Sequence, residues 1–331
     1  MHIDVFRGDG FSLTSLTASI NSIPFIPTRI RDLGWFREEG VATTSIEIEM
    51  QNDVLFLVPS KPRGAPGTPV TRGKPNLRQF KMLHLPQTAA IQADEVQNLR
   101  AFGSETEMQT AQNLMKSRMA LARQANDLTI EYQRIGAVKG VTYDADGTTV
   151  LWNWYTEFGV TQQVLSFALT TSTTEISAKI LTLQNMIEDQ LGGISYTQIR
   201  VLCSPEFFSA LITVPSMKAA YANSQANAFL RTDNRKGFEF GDIIFEQYRG
   251  SVGSNRFIAA GDAYAVPEGV PGMFVTNYAP ANYMETVGTI GLPYYARTEM
   301  ADFNKGVMAE IQSNPISYNT RPGAVVRLTM T

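Results

Sequence analysis

Residues 93–135 read ADEVQNLRAFGSETEMQTAQNLMKSRMALARQANDLTIEYQRI and contain no proline, which favours one long helix. Asp94 and Glu95 lie where the positive end of a helix dipole stabilises acidic side chains. Apolar residues at a seven-residue spacing predict one apolar stripe, formed by Leu114, Leu121, Leu128 and Ile135 with Met108, Met115 and Ala122 beside them. Gly103 and Ser104 predict a break, beyond which about 45 Å of helix remains. A helix of that length predicts a structural spine, with a coiled coil as the alternative.

A polar, proline-containing terminus precedes the helix. Residues 1–30 end in NSIPFIPTRI, and Pro24 and Pro27 exclude a continuous helix, so we predict an extended arm. The next segment, TTSIEIEM (43–50), alternates apolar with acidic residues, which is typical of a half-buried strand.

The segment SKPRGAPGTPVTRGKPNLR (60–78) contains five Lys or Arg, four Pro, three Gly and no acidic residue. Strand-like segments lie on both sides, VLFLV (54–58) and FKMLHLP (80–86), so the segment resembles the tip of an extended hairpin loop. Three interpretations remain open. The segment could contact nucleic-acid phosphates, although it lacks the aromatic residues that stack on bases. It could be a linker, or it could be an arm that binds a neighbouring subunit through its charges.

Alternating helices and strands follow the long helix. Residues 138–159 predict a β-hairpin that turns at Asp146-Gly147. Residues 175–193 have an amphipathic helical pattern and end in two glycines, as helices commonly do. The remaining predictions are a buried strand at 196–204, a helix that starts at a proline at 205–215, and strands at 238–250 and 255–267.

Composition indicates a folded protein that does not coat nucleic acid. The chain has 331 residues, of which 44% are hydrophobic and 18% charged, and its net charge is −3. A dedicated nucleic-acid coat would be strongly basic. The single cysteine, Cys203, excludes an intrachain disulfide and favours a reducing compartment. The longest strongly apolar run has five residues, too few to cross a bilayer.

The residues needed for catalysis are scarce. The only histidines are His2 and His84, and no His, Cys, Asp or Glu cluster has metal-ligand spacing. The sequence DADG (144–147) lacks the further ligands of a calcium loop and is typical of a turn. We therefore expect no enzymatic activity, no metal and no cofactor.

The order of segments resembles the lambda-like major capsid protein family of tailed bacteriophages, the capsid protein E family. The likeness begins in FSLTSLTASINSIPFIPTRIRDLGWF and VATTSIEIEM, and continues through FKMLHLPQTAAIQADEVQNLRAFG. It returns in AGDAYAVPEGVPGMFVTNYAPANYMETVGTIGLPYYAR (260–297) and in the ending KGVMAEIQSNPISYNTRPGAVVRLTM. The resemblance implies the α+β Hong Kong 97-type capsid fold.

This fold implies a division of the chain into named parts. They are an N-terminal arm at 1–30, the start of a peripheral domain at 31–50, an extended loop at 51–90, the rest of the peripheral domain with spine helix and hairpin at 91–174, an axial domain at 175–310, and a C-terminal strand at 311–331 that returns to one of the sheets.

The resemblance also implies a function: self-assembly into hexamers and pentamers of an icosahedral shell around double-stranded phage DNA. The expected partners are copies of the chain, a separate scaffold protein, a portal protein, a possible decoration protein and non-specifically packaged DNA, with no membrane. A separate scaffold is expected because no long helical extension precedes the arm. Assembly is expected in the host cytoplasm and the final location is the virion capsid.

Intersubunit contacts are expected in two segments. In the extended loop they are the basic residues Lys61, Arg63, Arg72, Lys74, Arg78 and Lys81, and in the arm they are Ile23, Phe25 and Arg29. Since no Lys–Asn cross-linking pair can be located, we expect non-covalent association. The alternative function is a DNA-binding structural protein that uses the basic loop at 60–81.

Overall fold

The computed structural model describes residues 12–23, 28–50, 76–95, 107–171, 174–215, 217–218, 237–252 and 255–331. Two compact units divide the chain. The first unit comprises Met1–Ile46, Gln79–Tyr132 and Val275–Ser317. The second comprises Glu47–Arg78, Gln133–Phe274 and Tyr318–Thr331.

The described residues form helices and strands in comparable amounts. The helices are α1 (Leu13–Ser22), α2 (Arg29–Asp32), α3 (Glu107–Lys139), α4 (Trp154–Phe158), α5 (Ile176–Leu191) and α6 (Pro205–Thr213). The strands are β1 (Phe36–Gly40), β2 (Ser45–Met50), β3 (Asn76–Lys81), β4 (Leu85–Gln92), β5 (Val141–Tyr143), β6 (Val150–Asn153), β7 (Gln163–Ser166), β8 (Gln198–Cys203), β9 (Phe238–Phe240), β10 (Ile243–Gln247), β11 (Ser251–Val252), β12 (Asn255–Arg256), β13 (Asp262–Glu268), β14 (Phe274–Tyr278), β15 (Tyr295–Met300), β16 (Gly306–Ser313), β17 (Pro315–Asn319) and β18 (Val326–Thr329). This mixture confirms the predicted α+β class.

An antiparallel sheet of order β15-β16-β4 organises the first unit. Its register places Ala309 of β16 opposite Ala89 of β4 and Thr298 of β15. Helix α1 packs against β15, and the shared core also includes part of α3. Buried members of this core are Leu16, Ile20, Ile91, Met115, Met119, Ala122, Ile130, Tyr278, Tyr294, Ala296, Val307, Ala309 and Ile311.

The predicted extended conformation of the N-terminal arm is wrong for residues 13–22. These residues form α1, and the side chain of Ser12 caps the helix by accepting a hydrogen bond from the Ser15 N–H. The helix ends before Pro24, so the two prolines limit its length without preventing it. Burial of Leu16 and Ile20 in the core stabilises α1 although most of its sequence is polar.

The long helix is confirmed, with one correction to its buried face. Helix α3 is described from Glu107 and continues to Lys139, four residues beyond the predicted end. The predicted break at 103–104 lies outside the described residues. Leu121 and Leu128 of the predicted stripe are 62% and 37% exposed, respectively.

The buried face of α3 is centred beside the predicted stripe. Met115, Met119, Ala122 and Asn126 are all buried and follow the spacing of three or four residues that keeps side chains on one face. Residues at a strict seven-residue spacing drift by about 20° per heptad around a straight helix. Leu121 and Leu128 of the predicted stripe therefore lie at the edge of the buried face.

A mixed sheet of order β7-β18-β13-β8-β10-β9 forms the centre of the second unit. β18 pairs parallel with β7 and antiparallel with β13, while β8 pairs antiparallel with β13 and parallel with β10. The C-terminal strand β18 therefore lies inside a sheet, between β7 and β13. Helix α6 packs against β8 and β10, and its Phe207, Phe208 and Leu211 are buried.

Local signals place the elements of the second unit well. Helix α5 ends at Gly192, which adopts the left-handed conformation with φ 61° and donates its N–H to the Glu188 carbonyl oxygen. Helix α6 begins at Pro205, and Ser204 caps it through the Phe207 N–H. The predicted hairpin is confirmed as β5 paired with β6, although residues 154–158 form α4 instead of extending the second strand.

The two units cut across the predicted domain boundaries. Residues 85–90, assigned to the end of the extended loop, belong to β4 and pair with β16. Val275–Ser317, of which residues up to 310 were assigned to the axial domain, belongs to the first unit. The reason is strand pairing: β4 shares one sheet with β15 and β16 although the sequence separates it widely from both. The division into arm, peripheral and axial parts stays a prediction.

Candidate intersubunit contacts

The two ends of the extended-loop region meet in a ribbon. Strands β2 and β3 are neighbours in a two-stranded sheet, and the chain between them is residues 51–75, outside the described residues. This pairing is what the hairpin-loop interpretation predicted. Residues 54–58 and the four basic residues Lys61, Arg63, Arg72 and Lys74 lie in that undescribed segment.

Arg78 and Lys81 are the two predicted loop contacts that the structure places. Arg78 Nη1 donates a 2.7 Å hydrogen bond to Glu157 Oε2 of α4, and both side chains are about one-third exposed. An ion pair with that exposure contributes about 0–1 kcal/mol. Lys81 is exposed at the end of β3. The structure therefore attaches Arg78 to its own chain and leaves the Lys81 side chain accessible.

Two of the three predicted arm contacts lie in the described residues. Ile23 follows α1 and packs, partly buried, against the core of the first unit. Arg29 is the first residue of α2. Phe25 lies outside the described residues.

A buried polar cluster on α3 secures α1. Arg123, which is 1% exposed, donates through Nη1 to the carbonyl oxygen of Ile20 in α1. The Arg123 guanidinium also lies over the Tyr294 ring, 4.7 Å from its centroid, while the Tyr294 hydroxyl donates to Asp127 Oδ1. Burial lowers the pKa of Arg123, and the Asp127 charge opposes that shift. Burial, together with the Asp127 charge, raises the pKa of Tyr294.

The same face of α3 holds α2. The Ile30 N–H donates a 2.8 Å hydrogen bond to Glu131 Oε1, and Arg31 lies 4.0 Å from Asp127 and 3.5 Å from Glu38. Sequence reasoning missed this cluster because it looked for apolar residues on α3. The available signal was the opposite charges of Arg123 and Asp127 at a spacing of four, which places them on one face of a helix.

A second buried network crosses the sheet of the second unit. Arg200 of β8 donates through Nε to Glu268 Oε1 of β13 at 2.6 Å and through Nη1 to Glu246 Oε2 of β10 at 3.0 Å. Gln198 also donates to Glu268. Three strands are therefore joined by side chains as well as by their backbone ladders.

The acidic turn at residues 144–147 is held by its own chain. Asp146 Oδ1 accepts hydrogen bonds of 2.9 Å from the N–H groups of Thr148 and Thr149, and Oδ2 accepts one from the Thr149 hydroxyl. These bonds lower the pKa of the Asp146 carboxyl. This geometry confirms the hairpin-turn interpretation of DADG.

His84 and Cys203 are the histidine and cysteine that the structure describes. Nδ1 of His84 lies 2.7 Å from Oδ1 of Asn314. Cys203 is fully buried, and burial raises the pKa of its thiol, which favours the unreactive protonated form. Within the described residues, no group of three or more His, Cys, Asp or Glu side chains could hold a metal ion. The helices of that same part of the chain include none with the length and apolar character of a membrane span.

The polar networks thus connect helices and strands within each unit to one another. The chain resembles a subunit of the mature capsid of bacteriophage PhiM1 (TM-score 0.50, 12% identity, 99% of this chain and 92% of that one). It also resembles a prophage protein of E. coli CFT073 described as a capsid protein (TM-score 0.57, 14% identity, 96% and 99% coverage). These likenesses confirm the Hong Kong 97-type capsid fold.

The fold alone is not specific to phages. The chain also resembles a subunit of the holo-SrpI encapsulin complex from Synechococcus elongatus PCC 7942 (TM-score 0.50, 8% identity, 94% of this chain and 92% of that one). Sequence comparison is therefore needed to assign the family.

The chain belongs to the phage major capsid protein E family, whose model matches residues 12–330. It is 29% identical to the major capsid protein of Pseudomonas phage KPP10, covering 96% of this chain and 97% of that protein. It is 26% identical to the major capsid protein of Salmonella phage Felix O1, with 96% and 95% coverage. Family membership confirms the predicted function at this level: the chain is a phage capsid protein that forms the shell of the virion.

Proposed function

We propose that the chain assembles into hexamers and pentamers, which close as an icosahedral shell around double-stranded DNA. The single observation that carries this proposal is the family match over residues 12–330, which includes almost every element of the fold. Closed symmetry repeats each moderate interface many times, so that weak contacts sum to a stable shell. The association is non-covalent.

The basic segment between β2 and β3 supplies one of these interfaces. It has five positive charges and no negative charge at residues 60–78, while the whole chain carries −3, so the remainder of the chain carries −8. A cationic segment therefore meets a chain of net negative charge when it lies over another copy. Opposite potentials accelerate association and select the register of the two partners. Lys61, Arg63, Arg72, Lys74 and Lys81 supply these contacts, with Arg78 joining them only where it exchanges its own Glu157 for a partner, and Ile23, Phe25 and Arg29 supply those of the arm.

The remaining partners follow from the requirements of a phage head. A separate scaffold protein directs curvature, a portal protein occupies one vertex, and a decoration protein can bind the outer surface. Packaged DNA is contacted without sequence specificity, through its phosphates. Assembly takes place in the host cytoplasm, and the capsid then becomes part of the virion. The protein acts as a structural component without catalysis.

A deletion and a charge variant test the role of the basic segment. Removal of residues 62–75 should leave a folded subunit that fails to form stable capsomers in sedimentation velocity. Replacement of Lys61, Arg63, Arg72 and Lys74 by Gln keeps the length of the segment and removes four of its five positive charges. If capsomers depend on charge, this variant fails like the deletion. Normal shells from the deletion would refute the assigned role.

The same variants distinguish the intersubunit role from the alternative function, a DNA-binding structural protein that uses residues 60–81. It predicts that the wild-type subunit binds duplex DNA with an affinity that falls steeply as salt rises. The Gln variant should then lose DNA binding and still form capsomers. Failure of the wild-type subunit to bind duplex DNA at low salt excludes this alternative.

A further inference from the structure

An exposed apolar loop connects β14 to β15 in the first unit. Residues 283–292, here termed the apolar loop, read YMETVGTIGL. Met284, Val287 and Ile290 are 88%, 74% and 70% exposed, and Leu292 is 43% exposed. No other described segment of nine residues has four exposed large apolar side chains. Exposed apolar residues clustered in this way mark a contact surface.

The apolar loop has a defined conformation despite its exposure. The Thr286 hydroxyl donates to the Ala281 carbonyl oxygen at 2.7 Å, and the Thr289 hydroxyl donates to the Thr286 carbonyl oxygen at 2.7 Å. The backbone of Gly291 donates to Val41 at 2.9 Å. Because the loop is already ordered, a partner that binds it loses little conformational entropy.

Charge restricts the chemistry of that partner. Glu285 is the one charged residue of the apolar loop, and its Oε2 accepts a 2.8 Å hydrogen bond from Arg297. The Arg297 guanidinium also lies 5.3 Å from the centroid of the Tyr283 ring. The loop therefore presents a neutralised, apolar surface, which suits an apolar partner and offers little attraction to nucleic-acid phosphates.

We propose that the apolar loop is a self-contact, in which the same loop of neighbouring copies meets around a rotation axis of the shell. The proposal rests on the proposed shell-forming function, which brings many copies of this one chain together. Where a surface lies on a rotation axis, the same residues of every copy meet there, so an apolar patch on the axis is matched by its own copies. Met284, Val287 and Ile290 are the side chains that this contact buries.

The first test compares two substitutions of one side chain. Ile290→Asp introduces a charge at the proposed contact, and Ile290→Leu keeps an apolar side chain of the same size. Ile290→Asp should reduce the assembled fraction in sedimentation velocity at least tenfold, while Ile290→Leu assembles as the wild type does. Both variants should keep the wild-type melting temperature of the unassembled subunit because Ile290 is exposed there. Normal assembly of Ile290→Asp would overturn the proposal.

A cross-linking test identifies the occupant as another copy. The single native cysteine, Cys203, is fully buried, so an Ile290→Cys variant carries one accessible thiol. Dissolved oxygen with a copper catalyst removes two electrons and two protons from a pair of thiols and forms a disulfide. Covalent dimers should appear in assembled particles and be absent from unassembled subunits. Leu181→Cys, at a leucine of 62% exposure in α5, is the matched control and should give no dimer.

The outcomes separate this inference from the function on which it rests. A wild-type chain that never assembles, with or without scaffold, contradicts the shell-forming function itself. Assembled Ile290→Cys particles without covalent dimers leave the shell function intact and overturn the self-contact. Equal dimer yields from Ile290→Cys and Leu181→Cys indicate collision between particles and also overturn it.

Discussion

Nε of Arg200 donates a 2.6 Å hydrogen bond to Oε1 of Glu268, and this contact joins β8 to β13 in the second unit. Arg200 also donates to Glu246 of β10, so one guanidinium binds carboxylates on both strands that flank its own. Glu246 is 3% exposed, and its charge would be costly to bury alone. The Arg200 side chain therefore joins three strands of the central sheet.

Replacement of Arg200 by Met should lower the free energy of unfolding by about 3–5 kcal/mol, because the buried Glu246 and the largely buried Glu268 would both lose the Arg200 guanidinium. Denaturant unfolding measures this change. The matched control is Arg256→Met, which breaks the ion pair with Glu206 at a site where the arginine side chain is 53% exposed. The control should cost at most about 1 kcal/mol. Equal losses from the two variants would contradict the distinction between the buried and the exposed pair.

Replacement of Arg123 by Met should release α1 from α3. The substitution removes the donor to the Ile20 carbonyl and leaves the Asp127 carboxylate buried, at a cost of about 3–5 kcal/mol. Hydrogen exchange should accelerate selectively at residues 13–22, where backbone groups depend on this contact. Lys116→Met, at an exposed position of the same helix, should leave exchange unchanged. Uniform acceleration across the first unit would argue against a local role.

Replacement of Gly136 by Ala should destabilise the protein although alanine favours helices. A Cβ atom at this position of α3 would lie 2.9 Å from the Thr142 Cα and 3.1 Å from the Val141 carbonyl oxygen. The gain in helix propensity is about 1 kcal/mol, whereas forced movement of the β5 backbone costs about 1–3 kcal/mol. Urea unfolding should show a net loss. Thr129→Ala, on the accessible side of the helix, should be neutral or slightly stabilising, and a stabilising Gly136→Ala would show that β5 moves freely.

Alkaline pH should weaken the protein through buried tyrosines. Burial raises the pKa of Tyr264, and the charge of Asp262 adds to the shift. Above about pH 10 the unfolded chain loses the phenolic proton that the folded chain retains, so the unfolded state binds fewer protons and stability falls as pH rises. The expected slope is about 1.4 kcal/mol per pH unit for each such tyrosine. Tyr264→Phe should flatten the dependence between pH 10 and 12, and superimposed curves would contradict the assignment.

Sequence reasoning succeeded where the signal is local. The absence of proline predicted α3, the pair Gly192-Gly193 predicted the end of α5, and Pro205 predicted the start of α6. It failed where burial depends on distant segments. Leu121 resembles a core residue by its spacing but is exposed, whereas Arg123 resembles a surface residue and is buried.

The predicted contacts between subunits show the same contrast between local sequence signals and features that depend on distant segments. The basic residues of the loop could be recognised by composition, yet the pairing of Arg78 with Glu157 joins residues 79 positions apart and follows from the fold. The sequence of the apolar loop has no periodic pattern, so its exposure follows only from the tertiary structure around it.

The sequence alone determined the long helix α3, the hairpin of β5 and β6, the end of α5, the start of α6 and the membership in a capsid family. These properties depend on interactions over a few residues or on the pattern of the whole chain. Only the tertiary structure decided that β4 joins β15 and β16, and that Tyr294 donates to Asp127 across 167 positions of sequence. Such partners are selected by the packing of distant surfaces, and no short segment carries enough information to specify which surface it will meet.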